Sequence, residues 1–309
     1  MNIKSISSHK NKEPESGVLY IVGTPIGNLN DLSPRALNIL ENVSLIACED
    51  TRQTKKIMSK FKFKNNLLSF NKNNSSNKIP KIINNLMSGK SIALVSDAGM
   101  PSICDPGEDL IKEARSNKIN IVCIPGPCAA LTALVSSGLP SSKFTFEGFF
   151  PKKTAERKKL LLEINASNKT TILFESPNRL KKLLNELREY CGGEREIYVF
   201  RELTKKFEEH IGCDINQVIN YFNDKEILGE ITVVIKGQDK TKQNPNFNEF
   251  LLKKELHELI NAGLSLSKAS AYLAKKNNTP KSKIYNLYWL LGIKIHMSFP
   301  LKKLLFFFF

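Results

Sequence analysis

Three short loops hold the residue types that could bind a ligand, and each follows directly on an apolar run. The first is "VGTPIGNLND", residues 22–31, at the end of "GVLYIV". A dinucleotide-binding turn presents GxGxxG, so that amide N–H groups at a helix start point at a pyrophosphate. Here Pro25 removes one of those donors, and no GxxxxGK[ST] occurs in the chain. The loop therefore suits a ligand without phosphates, or is a plain turn between strand and helix. The second loop, "SDAGMPSICDPG" (residues 96–107), releases Asp97 at a strand end, where ligands of open α/β sheets bind. A carboxylate there can pair with an amine or a ribose hydroxyl. Gly99 permits close backbone approach, and Pro101 and Pro106 stiffen the exit. Asp105 and Glu108 are spaced as a capping box for the next helix. In the third loop, "IPGPCAALTAL" (residues 124–134), Pro-Gly-Pro and the small residues after it let a helix start close to whatever fills the crevice.

The elements that must position these loops alternate between the two periodicities. Strand-like runs are "VLYIV", "SLIAC", "LLSF", "SIALVS", "INIVCI", "FTFEGF", "TTILFE", "EIYVF" and "EITVVI". Helical spacing separates them, as in "SPRALNIL", where Ser33 caps, Pro34 suits the first turn and Leu37 and Leu40 share a face. Such alternation predicts an α/β architecture with largely buried strands. A seam near "IPGPCAA" predicts two α/β domains, 17–125 and 126–237, behind a polar, disordered extension over 1–16. The polar stretch 238–247 reads as a linker, 248–291 as a helical domain, and 292–309, ending in four Phe, as an atypical tail.

Composition narrows the class. Of 309 residues 41% are hydrophobic and 25% charged, as in soluble globular proteins, and the net charge is +16. So basic a chain favours a polyanionic partner, although a lysine-coated surface fits equally. Six cysteines without a CxxC pair and four scattered histidines predict reduced thiols and no metal site. The N-terminus lacks a secretory apolar segment, and no run reaches the ~20 apolar residues of a membrane helix. These features predict a cytoplasmic protein with no membrane association.

"LYIVGTPIGNLNDLSPRAL", "ACEDTR", "LVSDAGMPSICDPG", "IPGPCAALTAL" and "FESPNRL" resemble, in order and spacing, the ribosomal RNA small subunit methyltransferase I family of the tetrapyrrole methylase (class III) superfamily. The resemblance covers about residues 17–290. It implies two α/β domains of the tetrapyrrole methylase type with S-adenosylmethionine in the cleft between them, plus a small helical C-terminal domain. This cofactor has no phosphate, so a proline in the first turn costs it nothing. By similarity, Pro25 and Ile26 border it from the first loop, Asp97, Gly99 and Met100 from the second, and Cys128 and Ala129 from the third. Glu230 does so at the start of "GEITVVI". The implied activity is 2′-O-methylation of a cytidine ribose in the decoding region of 16S rRNA, with the small ribosomal subunit as partner and a homodimer as the assembly.

In-line displacement at a sulfonium methyl needs no acid, because the leaving group is neutral. Orientation can supply about 7–11 kcal/mol of barrier reduction, against roughly 10²–10⁴-fold from a general base. Candidate bases are Glu49 and Asp50 in "CEDTR", Glu175 in "FESPNR" and Glu202 in "RELTKK". Each equally fits structural pairing with Arg52, Arg179 or Arg201, and Arg52, Arg179 and Lys205 alternatively suit RNA phosphates. The stretch from Leu264 to Leu291 contains no acid and resembles a helix-turn-helix unit, with Thr279 and Pro280 opening its second helix. Its Lys268, Lys275, Lys276, Lys281 and Lys283 suit a phosphate-contacting surface. The rival readings are a methylase acting on a carboxylated tetrapyrrole or precorrin, a protein-directed methylase such as diphthine synthase, and a non-catalytic RNA-binding protein.

Overall fold

The structure, a computed structural model, describes residues 13–238, 245–277 and 280–289, and for 245–251, Lys283 and Trp289 the backbone only. Residues 1–12, Thr279, Leu291 and the tail 292–309 lie outside the described residues.

The first sheet is built from β1 (Val18–Val22), β2 (Leu45–Cys48), β3 (Leu67–Ser69), β4 (Ile92–Val95) and β5 (Asn120–Ile124). All run parallel, in the order β3-β2-β4-β1-β5. A parallel sheet must be covered on both faces, which is why its central strands read as unbroken apolar runs. Helices α1 (Pro34–Asn42) and α2 (Thr51–Phe61) cover one face through Ile39, Leu40 and Ile57. Helices α3 (Ser75–Met87) and α4 (Glu108–Ser116) cover the other through Ile82, Leu86 and Leu110. Ser33 Oγ accepts the Ala36 N–H at 3.1 Å and Pro34 opens α1, as the sequence predicts. The capping box at Asp105 does not form. The chain turns at Gly107, φ 150°, and α4 begins without a side-chain cap, while Asp105 bonds with Ser96 instead.

The second sheet comprises β6 (Phe144–Phe149), β7 (Thr170–Glu175), β8 (Glu196–Arg201), β9 (Glu209–Asp214) and β10 (Ile231–Ile235), ordered β6-β7-β10-β8-β9. Only β6 and β7 are parallel. The helices α5 (Ala129–Ser137), α6 (Thr154–Ala166), α7 (Pro177–Cys191) and α8 (Ile215–Phe222) belong to this half. Strand β9 is absent from the sequence reading because "EHIGCD" has no apolar run. It is an edge strand, and β6 and β9 at the two edges are far from fully buried. The ladder holds β9 even so, and Gly212 lets the Tyr198 ring lie across it, since a Cβ there would come within 2.0 Å of Tyr198 Cδ1.

The two sheets are joined where the three loops meet. The Thr24 N–H donates to Gly99 O at 2.9 Å and the Gly99 N–H returns a bond to Thr24 O at 3.0 Å, an isolated bridge between the first loop and the second. The first and third loops touch backbone to backbone, because a Cβ on Gly126 would fall 2.8 Å from Gly23 Cα. Ile26 then leaves the first sheet's territory and is buried among Ala130, Leu134, Ile172, Phe200 and Val234 of the second half.

Residues 245–289 form a separate three-helix unit of α9 (Pro245–Asn261), α10 (Leu266–Lys276) and α11 (Lys281–Trp289) around Leu256, Ala269, Leu273, Ile284 and Leu287. Ser265 caps α10 by accepting the Lys268 N–H at 3.3 Å.

The contact at Gly126 makes a steric prediction. Gly126→Ala forces two backbones apart and is expected to cost ~1–3 kcal/mol, as overpacking does. It should lower the denaturant midpoint at unchanged m-value, and an unchanged midpoint refutes the close approach.

Candidate active site

The carboxyl ends of β1, β4 and β5 deliver the three loops to one cavity of about 460 Å³, which residues at the ends of β7 and β10 complete. Ile26 comes from the first loop, Asp97, Gly99 and Met100 from the second, Cys128 and Ala129 from the third. Phe174 and Glu175 close it from β7, and Gly229, Glu230, Ile231 and Thr232 from the start of β10. Among the described residues, its ionisable lining beyond two thiols is Glu49, Asp97, Asp105, Glu175 and Glu230, with no Lys, Arg or His. In a chain of net charge +16 that partition is informative. A cavity of this size and mixed lining suits a small ligand, and its charge suits a cation rather than a phosphate.

The acids are mutually perturbed. Burial pushes the Glu49 carboxyl up, and the charges of Asp105 and Asp97 add to the shift. Burial also raises Asp97, which accepts the Asp50 N–H at 2.8 Å and feels the Asp50 charge. Asp105 is raised chiefly by burial, against its bond with Ser96. Glu175 has a fully buried side chain and is likewise raised by burial, despite the Ser176 N–H at 2.7 Å and the nearby guanidiniums. Arg179 stands 3.2 Å from its Oε2 but off the hydrogen-bonding line, so that oxygen has no hydrogen-bond donor among the described residues. Four carboxyls that resist ionisation around one cavity are a poor arrangement for stability and a useful one for receiving positive charge.

Other residues singled out in the sequence lie elsewhere. Pro25 is buried next to the cavity lining and is not part of it. Asp50 is outside it, capping α2 through the Arg52 N–H at 2.8 Å and ion-paired to the Arg52 side chain, which holds its carboxyl low. Glu202 is also outside. Burial alone would raise it, but Lys205 at 2.8 Å and the Glu230 N–H hold it low. Lys205 bonds Glu202 and Glu230, and Arg179 donates to the carbonyls of Phe150 and Pro151. Asp50, Glu202, Lys205 and Arg179 are therefore spent within the fold. In the helical unit Lys268, Lys275, Lys276 and Lys281 are exposed. Lys276 pairs with Glu255 at 3.0 Å and Lys281 bonds Ser267, while the Lys283 side chain lies outside the described residues. Sequence reasoning missed Cys104, Phe149 and Phe174 in the lining. They carry no local signature, and only pairing of β6 with β7 brings the two rings there.

Two facing α/β halves, with an acid-lined crevice at the strand ends of the first, define a methylase-type architecture, and the family model for Tetrapyrrole (Corrin/Porphyrin) Methylases matches residues 18–219. A solved cobalt precorrin-4 methyltransferase shares the fold at TM-score 0.56 and 15% identity, over 71% of this chain and 95% of that one. The protein named "Ribosomal RNA small subunit methyltransferase I" of Synechocystis is 40% identical over 271 residues, 88% of this chain and 97% of that protein. Its Thermotoga maritima namesake is 45% identical over 223 residues, 72% of this chain and all of the relative. The chain belongs to the tetrapyrrole methylase family and, within it, to the ribosomal RNA small subunit methyltransferase I group. It is a methyltransferase whose methyl donor is S-adenosylmethionine. The donor carries a sulfonium, an ammonium and one carboxylate, a net positive charge, and no phosphate, which fits a cavity lined by acids and bordered by a proline-bearing turn.

The raised acids predict a trade between binding and stability. A carboxyl whose native pKa exceeds its unfolded value is favoured protonated in the fold, so its ionisation at neutral pH costs stability, and that cost fades as pH falls through the raised value. Asp97→Asn keeps an oxygen for the Asp50 N–H while removing the charge. The ligand-free variant should melt above wild type at pH 7.5, the gap closing near the unfolded Asp value of about 3.9. S-adenosylhomocysteine should bind it about 10-fold or more weakly by calorimetry. Unchanged affinity removes Asp97 from the site.

Proposed function

We propose that this chain methylates the 2′-hydroxyl of a cytidine ribose in the decoding region of 16S rRNA. The reading is supported by its relatives, which are named as ribosomal RNA small subunit methyltransferases. The observation that carries it is the separation of charge: an acid-lined cavity fit for a cationic donor inside a strongly basic chain fit for a polyanion. When bound, S-adenosylmethionine supplies an electrophilic methyl group with a neutral leaving group. The chain's residues bind and orient. Ile26, Gly99, Met100, Cys128 and Ala129 form the proposed donor walls and Asp97 offers the donor negative charge, while Glu230 borders it with its carboxylate paired to Lys205 at 2.9 Å. Glu49 and Glu175 are the acids that remain as proton acceptors for the ribose hydroxyl, because Asp50 and Glu202 are held low by ion pairing. A raised carboxyl is the stronger base of the two kinds.

The helical unit is proposed to hold RNA through Lys268, Lys275 and Lys281, with Lys276 partly committed to Glu255. A homodimer is proposed through the outer face of α5, where Leu131 and Val135, one turn apart, are 49% and 77% exposed. The cytoplasm is the proposed compartment. Among the described residues no helix is long and apolar enough to cross a membrane, and no group of three or more His, Cys, Asp or Glu is placed to hold a metal.

Methyl transfer from labelled donor to 16S rRNA and to small-subunit particles, followed by mapping of the modified ribose, tests the proposal. Transfer to a uroporphyrinogen or a precorrin with none to RNA overturns it. Replacing Lys268 and Lys275 together by Ala should weaken RNA binding and reduce the slope of log K against log salt by about 1–2, leaving S-adenosylhomocysteine affinity as it was. An unaltered slope takes the helical unit out of the RNA interface.

A further inference from the structure

Phe149 stands where packing alone does not put it. Strands β6 and β7 pair Phe144 with Thr170, Thr145 with Thr171 and Phe146 with Ile172, yet the next pair is Phe149 with Phe174. Three steps along β6 thus match two along β7, which is a β-bulge, and Gly148 accommodates it at φ +65°. Side chains alternate along a strand, so a regular ladder would turn Phe149 to the face opposite Phe146. The bulge returns it to the face of Phe146, Ile172 and Phe174. Its ring meets Phe174 edge-on at 5.6 Å, and Phe174 meets Phe146 at 5.0 Å. Although it ends this aromatic row, Phe149 remains 61% exposed.

The exposed ring borders two spaces. One is the acid-lined cavity. The other is a groove of about 710 Å³ that shares Glu49, Cys104, Asp105 and Phe149 with it. Unlike the cavity, the groove carries cations, Arg52 and Lys72, set among Glu49, Asp50 and Asp105 and beside the amides of Asn71 and Asn73, with Lys72 Nζ donating to the Cys104 carbonyl at 3.3 Å. The Arg52 side chain is 85% exposed even while it pairs with Asp50. An exposed aromatic face, two cations and amide groups beside a methyl-donor cavity are the components of a single-stranded nucleic-acid site, where bases stack on rings and cations track phosphates. An enzyme acting on one nucleotide must also take it out of its stack, and a platform that replaces the lost stacking lowers that cost.

We propose that this groove receives the acceptor nucleotide, with its base stacked on Phe149 and the flanking phosphates against Arg52 and Lys72. The inference rests on the reading of the chain as an RNA methyltransferase and names the surface that reading leaves open. The ring sits on the wall common to both spaces, so a base stacked there brings its ribose to the boundary with the donor cavity.

The test compares Phe149→Ala, Phe149→Leu and Phe149→Trp in methyl transfer to small-subunit particles, with S-adenosylhomocysteine affinity and thermal unfolding measured alongside. Stacking of about 1–3 kcal/mol per base corresponds to about a 5- to 150-fold loss in kcat/KM. That loss is expected for Ala and for Leu, which keeps apolar bulk without a π face, whereas Trp retains near wild-type activity. Phe149 also lines the donor cavity and meets Phe174, so the loss in kcat/KM should exceed any loss in S-adenosylhomocysteine affinity, and Ala should melt below wild type while Trp does not. A Leu variant as active as wild type overturns the inference and leaves the RNA methyltransferase reading standing. So does weakened S-adenosylhomocysteine binding with unchanged KM for RNA, which would assign the ring to the donor wall. If wild type itself transfers no methyl group to RNA, the parent reading fails first, and the two failures are distinguishable.

Discussion

Everything in residues 13–238 that bears on function depends on three loops crossing within backbone contact. The contact exists because Gly23 and Gly126 carry no side chain, and because Thr24 and Gly99 exchange hydrogen bonds as if they were one more rung of sheet. A parallel sheet leaves its carboxyl-end loops projecting at one edge, where an open α/β fold places its ligands. Here those loops also lock against one another, and Ile26 passes on into the apolar core of the second half. Pro25 makes sense in this setting. Its missing N–H forfeits nothing, since the neighbouring Thr24 already supplies the donor that fixes the turn.

The cavity so formed works against the chemistry of its surroundings. Burial raises Glu49, Asp97, Asp105 and Glu175 while the rest of the chain is rich in lysine and arginine. Cations near the site are kept at its margin by partners of their own, as with Arg52 on Asp50, Lys205 on Glu202 and Arg179 on the carbonyls of Phe150 and Pro151. Ion pairs such as these add little net stability at an exposed surface. Their consequence here is placement, because a lysine or arginine released into the cavity would neutralise the carboxyls that line it.

Much of this was legible in the sequence, and the failures have physical causes. The strands of the first sheet announce themselves because burial on both faces demands continuous apolar runs, and Ser33 with Pro34 marks a helix start by local chemistry alone. The three loops were recognisable because turn residues and strand ends are encoded over a few positions. Asp105 misled because a capping pattern is only a local preference, and Gly107 at φ 150° together with the bond to Ser96 overrode it. Strand β9 escaped because an edge strand need not be apolar, and its pairing with β8 is a tertiary fact. Acids beside arginines could not be sorted in advance. Asp50 and Glu49 are adjacent in the chain, yet one caps a helix and the other faces the cavity, a difference set by the direction in which the strand exits.

Sorting those acids changes where rate enhancement must come from. Of the four candidate bases, Asp50 and Glu202 serve the architecture, and the two that remain are held by the loops and by β7. A base contributes roughly 10²–10⁴-fold in favourable cases, whereas correct orientation of nucleophile and electrophile can account for about 7–11 kcal/mol. For an in-line displacement with a neutral leaving group, the second contribution dominates. It is sensitive to displacements of about 1 Å, which can cost ~10²-fold. The backbone crossing at Gly23, Thr24, Gly99 and Gly126 holds the cavity's loop walls together through main-chain contacts without spending a side chain, and the bulge near Gly148 sets the register of the facing wall. Precision in this fold therefore resides in backbone geometry, and the carboxylates act on a stage already set.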